Sequence, residues 1–240
     1  MRILSKNNIP DWLKYLINVA QEIFGFKRLG AYERLDDENE WDPLAAGTTA
    51  PSKRKNIDLL GTIAQDQGMT NECVYFATAH LVSILESQLA HKHITIEGHD
   101  LTKLGKKYPG TFDEDRGDFI YAGFKAIEKS GYTDKTGKKY ELKDHDRINR
   151  DEIYDKLAEG KPILTGVRCL RPLCTSNWMW RTNSTGGGHC ILIIGYDKKR
   201  NSYVALNSWG ENWGHRWSGR FFIPVTSVEF LMPCYIPIKD

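Results

Sequence analysis

The sequence predicts an α+β protein in which a helical half packs against an antiparallel sheet half. Two observations support this prediction. Before about residue 160, apolar residues recur mainly at helical spacing. After Pro162, β-branched and aromatic runs alternate with turn residues, as is typical of strands joined by hairpins. The 240 residues suffice for one sizeable domain or for two lobes that share a core.

The predicted helices span residues 11–26, 70–90, 118–130 and 151–159. The first has its apolar side chains on one face, and Asp11 stands where an N-cap is expected. Gly131 follows the third helix, at the position where a left-handed glycine commonly ends a helix. These helices make up the predicted helical half.

The predicted strands span residues 163–167, 190–196, 202–209 and 219–225. The second and third are joined by the polar turn DKKRN, so we expect them to pair as a hairpin. Earlier in the chain, an acidic run is followed by the small, polar stretch AAGTTAPSKRKN, which is typical of a linker. We therefore divide the chain into an N-terminal segment, residues 1–55, and a compact domain, residues 56–240.

Charge and cysteine usage exclude several classes of protein. The net charge of +2 provides no bulk attraction for nucleic acid or for a membrane surface, and we expect the short Lys53-Arg54-Lys55 cluster to be solvated. No stretch is long and apolar enough for a transmembrane segment, and we recognise no secretory signal. Five cysteines are too few for a disulfide scaffold and favour a reducing compartment. We expect a cytoplasmic or virion-associated protein that binds no nucleic acid and needs no metal or organic cofactor.

The stretch QGMTNECVYFATAH, residues 67–80, places Cys73 in the first turn of a predicted helix. If Thr70 caps that helix, Cys73 is its third residue, where the helix N-terminus favours a thiolate. A small buried structural cysteine would fit the same position equally well.

His189 and Asn207 are predicted to assist Cys73. His189 follows a glycine run at the mouth of a strand, where a histidine can face a cleft and act as a base. The predicted hairpin brings Asn207 roughly opposite His189, so that its amide can accept from one ring nitrogen and fix the tautomer. Trp209 could shield that hydrogen bond from water. Gln67 could donate an amide N–H to an oxyanion, beside the backbone N–H of Cys73.

These residues, in this order, resemble the papain-like cysteine peptidases over about residues 57–230. The resemblance rests on Gln67-Gly68 ahead of Cys73, on Gly188-His189 ahead of a strand, and on Asn207-Ser208-Trp209-Gly210 followed by Trp213-Gly214. It implies a two-lobed fold, with the nucleophile on a helical lobe and the histidine and asparagine on an antiparallel sheet or barrel lobe.

The resemblance also implies a role for each residue. Cys73 would be the nucleophile, His189 the general acid and base, and Asn207 the residue that orients the ring. Gln67 would donate to the oxyanion. The substrate-binding residues would be Gly117, whose backbone would pair with an extended substrate, together with Gly188 and Trp209.

The sequence departs from the family pattern around the nucleophile. Thr70, Asn71 and Glu72 replace the usual small and disulfide-forming residues, and Arg116 replaces a glycine that usually stands beside the position of Gly117. We expect Asn71 and Glu72 to narrow the cleft or to change its charge, so the substrate preference of the family is not carried over to this sequence.

Three functions fit these residues. The first, which we favour, is a cysteine peptidase that cleaves a peptide or protein substrate through a thioester acyl-enzyme. The second is an amidase or acyltransferase on cell-wall or other peptide-like substrates, which would use the same residues. The third is a non-catalytic papain-like binding module, and the complete set of four site residues argues against it. The N-terminal segment is either a removable inhibitory propeptide or a helix that stays docked on its own domain or on a protein partner; permanent docking is slightly favoured.

Overall fold

The computed structural model describes residues 10–23, 31–32, 53–59, 62–169, 173–181 and 187–238. The helices are α1 (Asp11–Ile23), α2 (Cys73–Ala90), α3 (Gly98–Lys107), α4 (Ala122–Ser130) and α5 (Ile153–Ala158). The strands are β1 (Ala31–Tyr32), β2 (Ile57–Asp58), β3 (Asp118–Phe119), β4 (Tyr132–Thr133), β5 (Lys139–Tyr140), β6 (Asp144–Ile148), β7 (Ile163–Cys169), β8 (Gly187–Asp197), β9 (Ser202–Leu206), β10 (Arg220–Pro224) and β11 (Cys234–Ile238).

The helical lobe is built around α2, which is buried on nearly all sides. Such a helix must have neighbours all round it, and α2 packs against α3, α4 and the sheet strands β7 and β8. The contact with α3 is close at Gly105, where an added Cβ would lie 2.0 Å from the ring of Tyr75. Glycine is therefore required for α3 to approach α2 at this point.

The second lobe is a seven-stranded sheet with the order β10-β9-β8-β7-β11-β6, in which β2 also pairs with β8. All of these pairings are antiparallel. The long strand β8 lies near the middle of the sheet and also contacts α2. The first residues of β8 therefore lie where the two lobes meet.

The predicted architecture is confirmed, including the β8–β9 hairpin. The third predicted helix begins later than expected, because Asp118–Phe119 is extended as β3 and α4 starts only at Ala122. The short fourth helix is α5, preceded by a 3₁₀ turn at Arg150–Glu152. The sequence pattern did not predict α3 or the strands β6 and β11.

The expectation of a solvated basic cluster is wrong for Arg54, which is only 4% exposed. Its guanidinium carbon lies 5.0 Å from the centre of the Tyr154 ring and 5.5 Å from that of Tyr196. These cation–π contacts attach the chain to α5 and β8 at this point. The neighbouring Lys53 and Lys55 are exposed, as expected.

The side chains of Cys73, Cys174, Cys190 and Cys234 are buried and form no disulfide with one another. Within the described part of the chain, no helix is both long enough and apolar enough to cross a membrane.

Candidate active site

Cys73 is the first residue of α2, and Glu72 is the N-cap. The prediction that Thr70 caps the helix and that Cys73 is its third residue is therefore wrong. Thr70 is held in a preceding turn, where its hydroxyl donates to the backbone oxygen of Gln67 at 2.7 Å. Cys73 nevertheless lies in the first turn, where N–H groups have no acceptor within the helix and the helix dipole favours a thiolate.

The ring of His189 is hydrogen-bonded to Asn207, with 2.7 Å between Nε2 and Oδ1. The same Oδ1 accepts from the backbone N–H of Ser208 at 2.8 Å, which fixes the orientation of the amide. Because an amide oxygen only accepts, Nε2 must carry the ring proton. In the neutral ring, Nδ1 is then the basic nitrogen.

Asn207 reaches His189 from a position slightly different from the expected one. The register between β8 and β9 is irregular between Ile193 and Gly195, and after this point Leu192 pairs with Leu206. Asn207, the next residue, therefore lies opposite Ile191. Ile191 and His189 are two residues apart on a strand and therefore face the same side of the sheet. The Asn207 side chain spans this offset to reach the ring.

The thiol of Cys73 lies against the strand that carries His189. The backbone N–H of Cys190, the residue after His189, donates to Cys73 Sγ at 3.3 Å. The fold thus brings Cys73, His189 and Asn207 together where α2 meets β8. All three side chains are completely buried.

Trp209 packs beside the His189 ring, with 4.8 Å between ring centroids and an angle of 32° between the planes. Its other side contacts Trp213 edge-on, at 5.1 Å between centroids. Both indoles are buried. This is the position from which Trp209 can keep water away from the His189–Asn207 hydrogen bond.

Gln67 lies on a segment that runs antiparallel to the residues after Asn207. Its backbone N–H donates to the Ser208 oxygen at 2.8 Å. Its side-chain Nε2 donates to the Thr70 oxygen at 2.6 Å, and its Oε1 accepts from the Ser208 hydroxyl. The amide is therefore held between the turn that leads to Cys73 and the residue after Asn207.

The two glycines predicted to bind substrate are placed differently from each other. Gly117, at φ +92°, exchanges both of its backbone hydrogen bonds with Asp113, at 2.7 and 2.8 Å. In this conformation its backbone is engaged within the loop, and its pairing with a substrate stays a prediction. Gly188 lies in β8 opposite Arg168, directly before His189.

The N-terminal segment reaches the same region, which the sequence did not predict. β1 pairs in parallel with β3, with Ala31 beside Asp118 and Tyr32 beside Phe119. β1 also contacts β8 of the other lobe. Two residues of the N-terminal segment thus lie between the strand that follows Gly117 and the strand that carries His189. A two-residue strand has no periodic pattern by which it could have been recognised.

α1 docks on the sheet lobe through Tyr15. The Tyr15 hydroxyl donates to the Cys174 backbone oxygen at 3.4 Å, and its ring lies 6.0 Å from that of Trp178 in an edge-on arrangement. On the same helix, Trp12 and Leu16 are exposed to 63% and 51%.

The residues that depart from the family pattern make contacts within the helical lobe. Asn71 Nδ2 donates to the backbone oxygens of Glu114 and Asp115, at 2.7 and 2.9 Å, and so holds the loop that ends at Gly117. Glu72 Oε2 lies 2.6 Å from His99 Nδ1 on α3. Both side chains therefore brace the surroundings of Cys73.

One set of possible metal ligands occurs within the described residues, formed by Glu128, Asp144 and His145 on α4 and β6. Its His145 Nδ1 and Glu128 Oε1 are hydrogen-bonded to each other, and Glu128 also pairs with Lys125 Nζ at 3.0 Å. These contacts explain the cluster as a link between α4 and β6.

The chain resembles a known protein family and several solved structures. The family model described as "Peptidase_C39 like family" matches residues 60–221. No curated protein matches the chain. Among solved structures, xylellain, a cysteine protease from Xylella fastidiosa, aligns with a TM-score of 0.69 and 17% identity over 90% of this chain and 97% of xylellain.

Two further cysteine proteases share the fold. CMS1MS2 of Carica candamarcensis, solved in complex with E-64, has a TM-score of 0.65 and 16% identity over 78% of this chain and 99% of its own. Amb a 11, a major ragweed pollen allergen solved in its proform, has a TM-score of 0.62 and 15% identity over 82% of this chain and 69% of its own. At such low identities the similarity establishes the fold, which is the two-lobed papain-like fold.

Proposed function

Because this chain belongs to the Peptidase_C39-like family and is a papain-like cysteine peptidase, we propose that it cleaves peptide or protein substrates through a thioester on Cys73. The observation that carries this proposal is the His189–Asn207 hydrogen bond, formed where the Cys73 thiol meets β8. That bond leaves Nδ1 as the basic nitrogen of the ring, which is the state a general base requires.

The proposed reaction has two steps. His189 Nδ1 takes the proton of the Cys73 thiol, and the thiolate attacks the carbonyl carbon of the scissile bond. When the tetrahedral intermediate collapses, the C–N bond breaks and the amine leaves with the proton from Nδ1. Water, deprotonated by the same nitrogen, then attacks the thioester, which releases the acid and restores the thiol.

The oxyanion of each tetrahedral intermediate would be stabilised by Gln67 Nε2 and by the backbone N–H of Cys73. Support comes from the position of the Gln67 amide, which is fixed beside the turn that leads into α2. Preorganised donors of this kind act only on charge that develops in the transition state, and losing one typically lowers kcat by about 10²-fold to 10³-fold.

We also propose that residues 31–32 of the N-terminal segment cover the active site of the peptidase domain, residues 56–240. Two observations support this proposal. β1 lies between β3 and β8, and the Cys73 and His189 side chains are completely buried. A substrate must reach Cys73 Sγ, so the segment has to move away or be cut before catalysis.

The test is the pH dependence of alkylation by iodoacetamide, followed by mass spectrometry of the tagged peptide. A recognition site for a sequence-specific protease is inserted within residues 44–52, and the folded full chain is compared before and after cutting. We expect slow labelling of Cys73 in the intact chain. In the cut chain we expect rapid labelling that persists well below the ordinary thiol pKa of ~8.5 and is lost in His189→Ala.

Two controls separate the parts of the proposal. Cys73→Ala should abolish peptide hydrolysis, whereas Cys234→Ala, which removes a buried thiol from β11, should retain it. Labelling of the cut chain that rises only near the ordinary thiol pKa would contradict the thiolate–imidazolium pair. Equal labelling of the intact and cut chains would contradict the covering role of the N-terminal segment.

An amidase or acyltransferase would use the same residues and differs only in substrate or acceptor. Product analysis in the presence of added amines distinguishes these activities from peptide hydrolysis, because an acyltransferase forms a new amide where a peptidase forms a free acid.

A further inference from the structure

A second buried histidine, His80, lies on α2, and the proposed mechanism does not use it. Its side chain is completely buried. His80 Nε2 accepts a hydrogen bond from the backbone N–H of Gln65 at 3.0 Å, so the ring proton lies on Nδ1. Nδ1 has no hydrogen-bond acceptor among the described residues. Among the described residues, the hydrogen bond from Gln65 is therefore the polar contact that holds the His80 ring.

Burial also keeps this ring neutral. Removal from water lowers the pKa of His80 from 6.5 to about 3. A neutral ring keeps Nε2 as an acceptor, whereas a protonated ring would direct an N–H at the N–H of Gln65. The His80–Gln65 hydrogen bond therefore persists throughout the neutral pH range.

Gln65 connects three parts of the molecule. Its side-chain Nε2 donates to the Ile96 oxygen at 2.7 Å, and its Oε1 accepts from the Gly98 N–H, at the start of α3, at 2.9 Å. Its backbone oxygen accepts from the Gly210 N–H of the sheet lobe at 3.0 Å. With the bond to His80, every hydrogen-bonding group of the Gln65 backbone and both ends of its amide are engaged.

Gln67 lies two residues after Gln65, and Cys73 lies at the start of the helix that carries His80. We propose that His80 is a positioning residue for the oxyanion hole, which sets the Gln67 amide relative to the Cys73 N–H by tying Gln65 to α2. This inference rests on the proposed function, in which Gln67 and Cys73 supply the two oxyanion donors.

The physical reason is that the two donors belong to different segments. Cys73 is part of a rigid helix, whereas Gln67 lies on a connecting segment whose position depends on its hydrogen bonds. Oxyanion donors act within about 2.7–3.1 Å of the developing charge, and a shift of about 1 Å in a catalytic group can cost roughly 10²-fold in rate. His80 joins the segment to the helix only two residues from the donor, where a small displacement matters most.

The test uses full-chain variants, assayed in the form of the wild type that is active, intact or cut within residues 44–52. His80→Leu removes the acceptor at similar volume, and His80→Gln retains one. We expect His80→Leu to lower kcat by about 10-fold to 100-fold with little change in KM or in the alkylation rate of Cys73, because the oxyanion hole acts on the transition state. His80→Gln should recover most of this loss.

A double-mutant cycle with Gln67→Ala distinguishes positioning from general destabilisation. If His80 acts through Gln67, His80→Leu should lower kcat no further once Gln67 has been removed. Independent, multiplicative losses would overturn the inference, and so would a His80→Leu enzyme with wild-type kcat.

If His80→Leu does not fold, Gln65→Ala provides a second test. It removes two of the hydrogen bonds that hold the same segment, and we expect a smaller loss of kcat that is also absent in the Gln67→Ala background. Cys73→Ala separates the two levels of failure. Retained hydrolysis in Cys73→Ala refutes the proposed function and the inference with it, whereas lost hydrolysis with an unaffected His80→Leu refutes the inference alone.

Discussion

The buried His80 makes the fold sensitive to acid, and the size of this effect follows from its pKa. Burial lowers the pKa of His80 from 6.5 to about 3. Between these values the unfolded chain binds a proton that the folded chain does not. The contribution of His80 to stability is therefore complete above pH 6.5 and is lost progressively as the pH falls toward 3.

The magnitude can be worked out for a moderate change in pH. Each pKa unit corresponds to 1.36 kcal/mol, so lowering the pH from 7 to 5 should cost about 2 kcal/mol through His80 alone. His80→Gln retains a hydrogen-bond acceptor for Gln65 but does not titrate. The difference between wild type and this variant therefore isolates the contribution of His80 from that of every other titrating group.

The assay is equilibrium urea unfolding of the full chain at pH 7 and pH 5, for wild type and for His80→Gln. We expect the free energy of unfolding of the wild type to fall by about 2 kcal/mol more than that of the variant over this range. An equal fall in both proteins would refute the reasoning, because it would show that His80 does not stay neutral in the folded state.

Three further predictions concern other parts of the molecule. Asn207→Ala should lower kcat by roughly 10²-fold, because the His189 tautomer is no longer fixed, while urea unfolding stays cooperative. Steady-state kinetics and urea unfolding check this, and an unchanged kcat would contradict it. Tyr75→Phe should lower the free energy of unfolding by about 1–3 kcal/mol, because the buried Asp118 carboxylate loses a hydrogen-bond donor. Tyr121→Phe, at a half-buried tyrosine, is the control, and an equal loss of unfolding free energy in both variants would count against the reasoning. Gly105→Ala should cost about 1–3 kcal/mol through its clash with the Tyr75 ring, and a wild-type urea midpoint would show that α3 can shift at no cost.

Much of the fold was predictable because its signals are local. The apolar residues of α2 and the β-branched runs of β7, β8 and β9 predicted their elements, and the polar turn between β8 and β9 predicted their pairing. The approach of Asn207 to His189 followed from that hairpin. The register irregularity in β8 moved Asn207 along the strand, and no sequence signal anticipated it.

Other features depended on main-chain contacts that the side-chain pattern does not encode. Thr70 had the sequence signature of an N-cap, but the oxygen of Gln67 takes its hydroxyl and the helix begins at Cys73. Gly117 matched a substrate-pairing glycine, yet its backbone pairs with Asp113. In both cases a backbone oxygen accepts the hydrogen bond of the polar group in question. The position of a backbone oxygen cannot be read from the sequence.

The sequence by itself determined the class of fold and the set of residues, Cys73, His189, Asn207 and Gln67, from which the proposed chemistry is built. Only the tertiary structure decided that β1 lies along β3 beside the active site and that His80 holds the segment leading to Gln67. The physical reason is common to both. Side-chain patterns record which face of an element is buried, whereas the main-chain group that meets a remote segment, in β3 or at Gln65, is known only once the chain is folded.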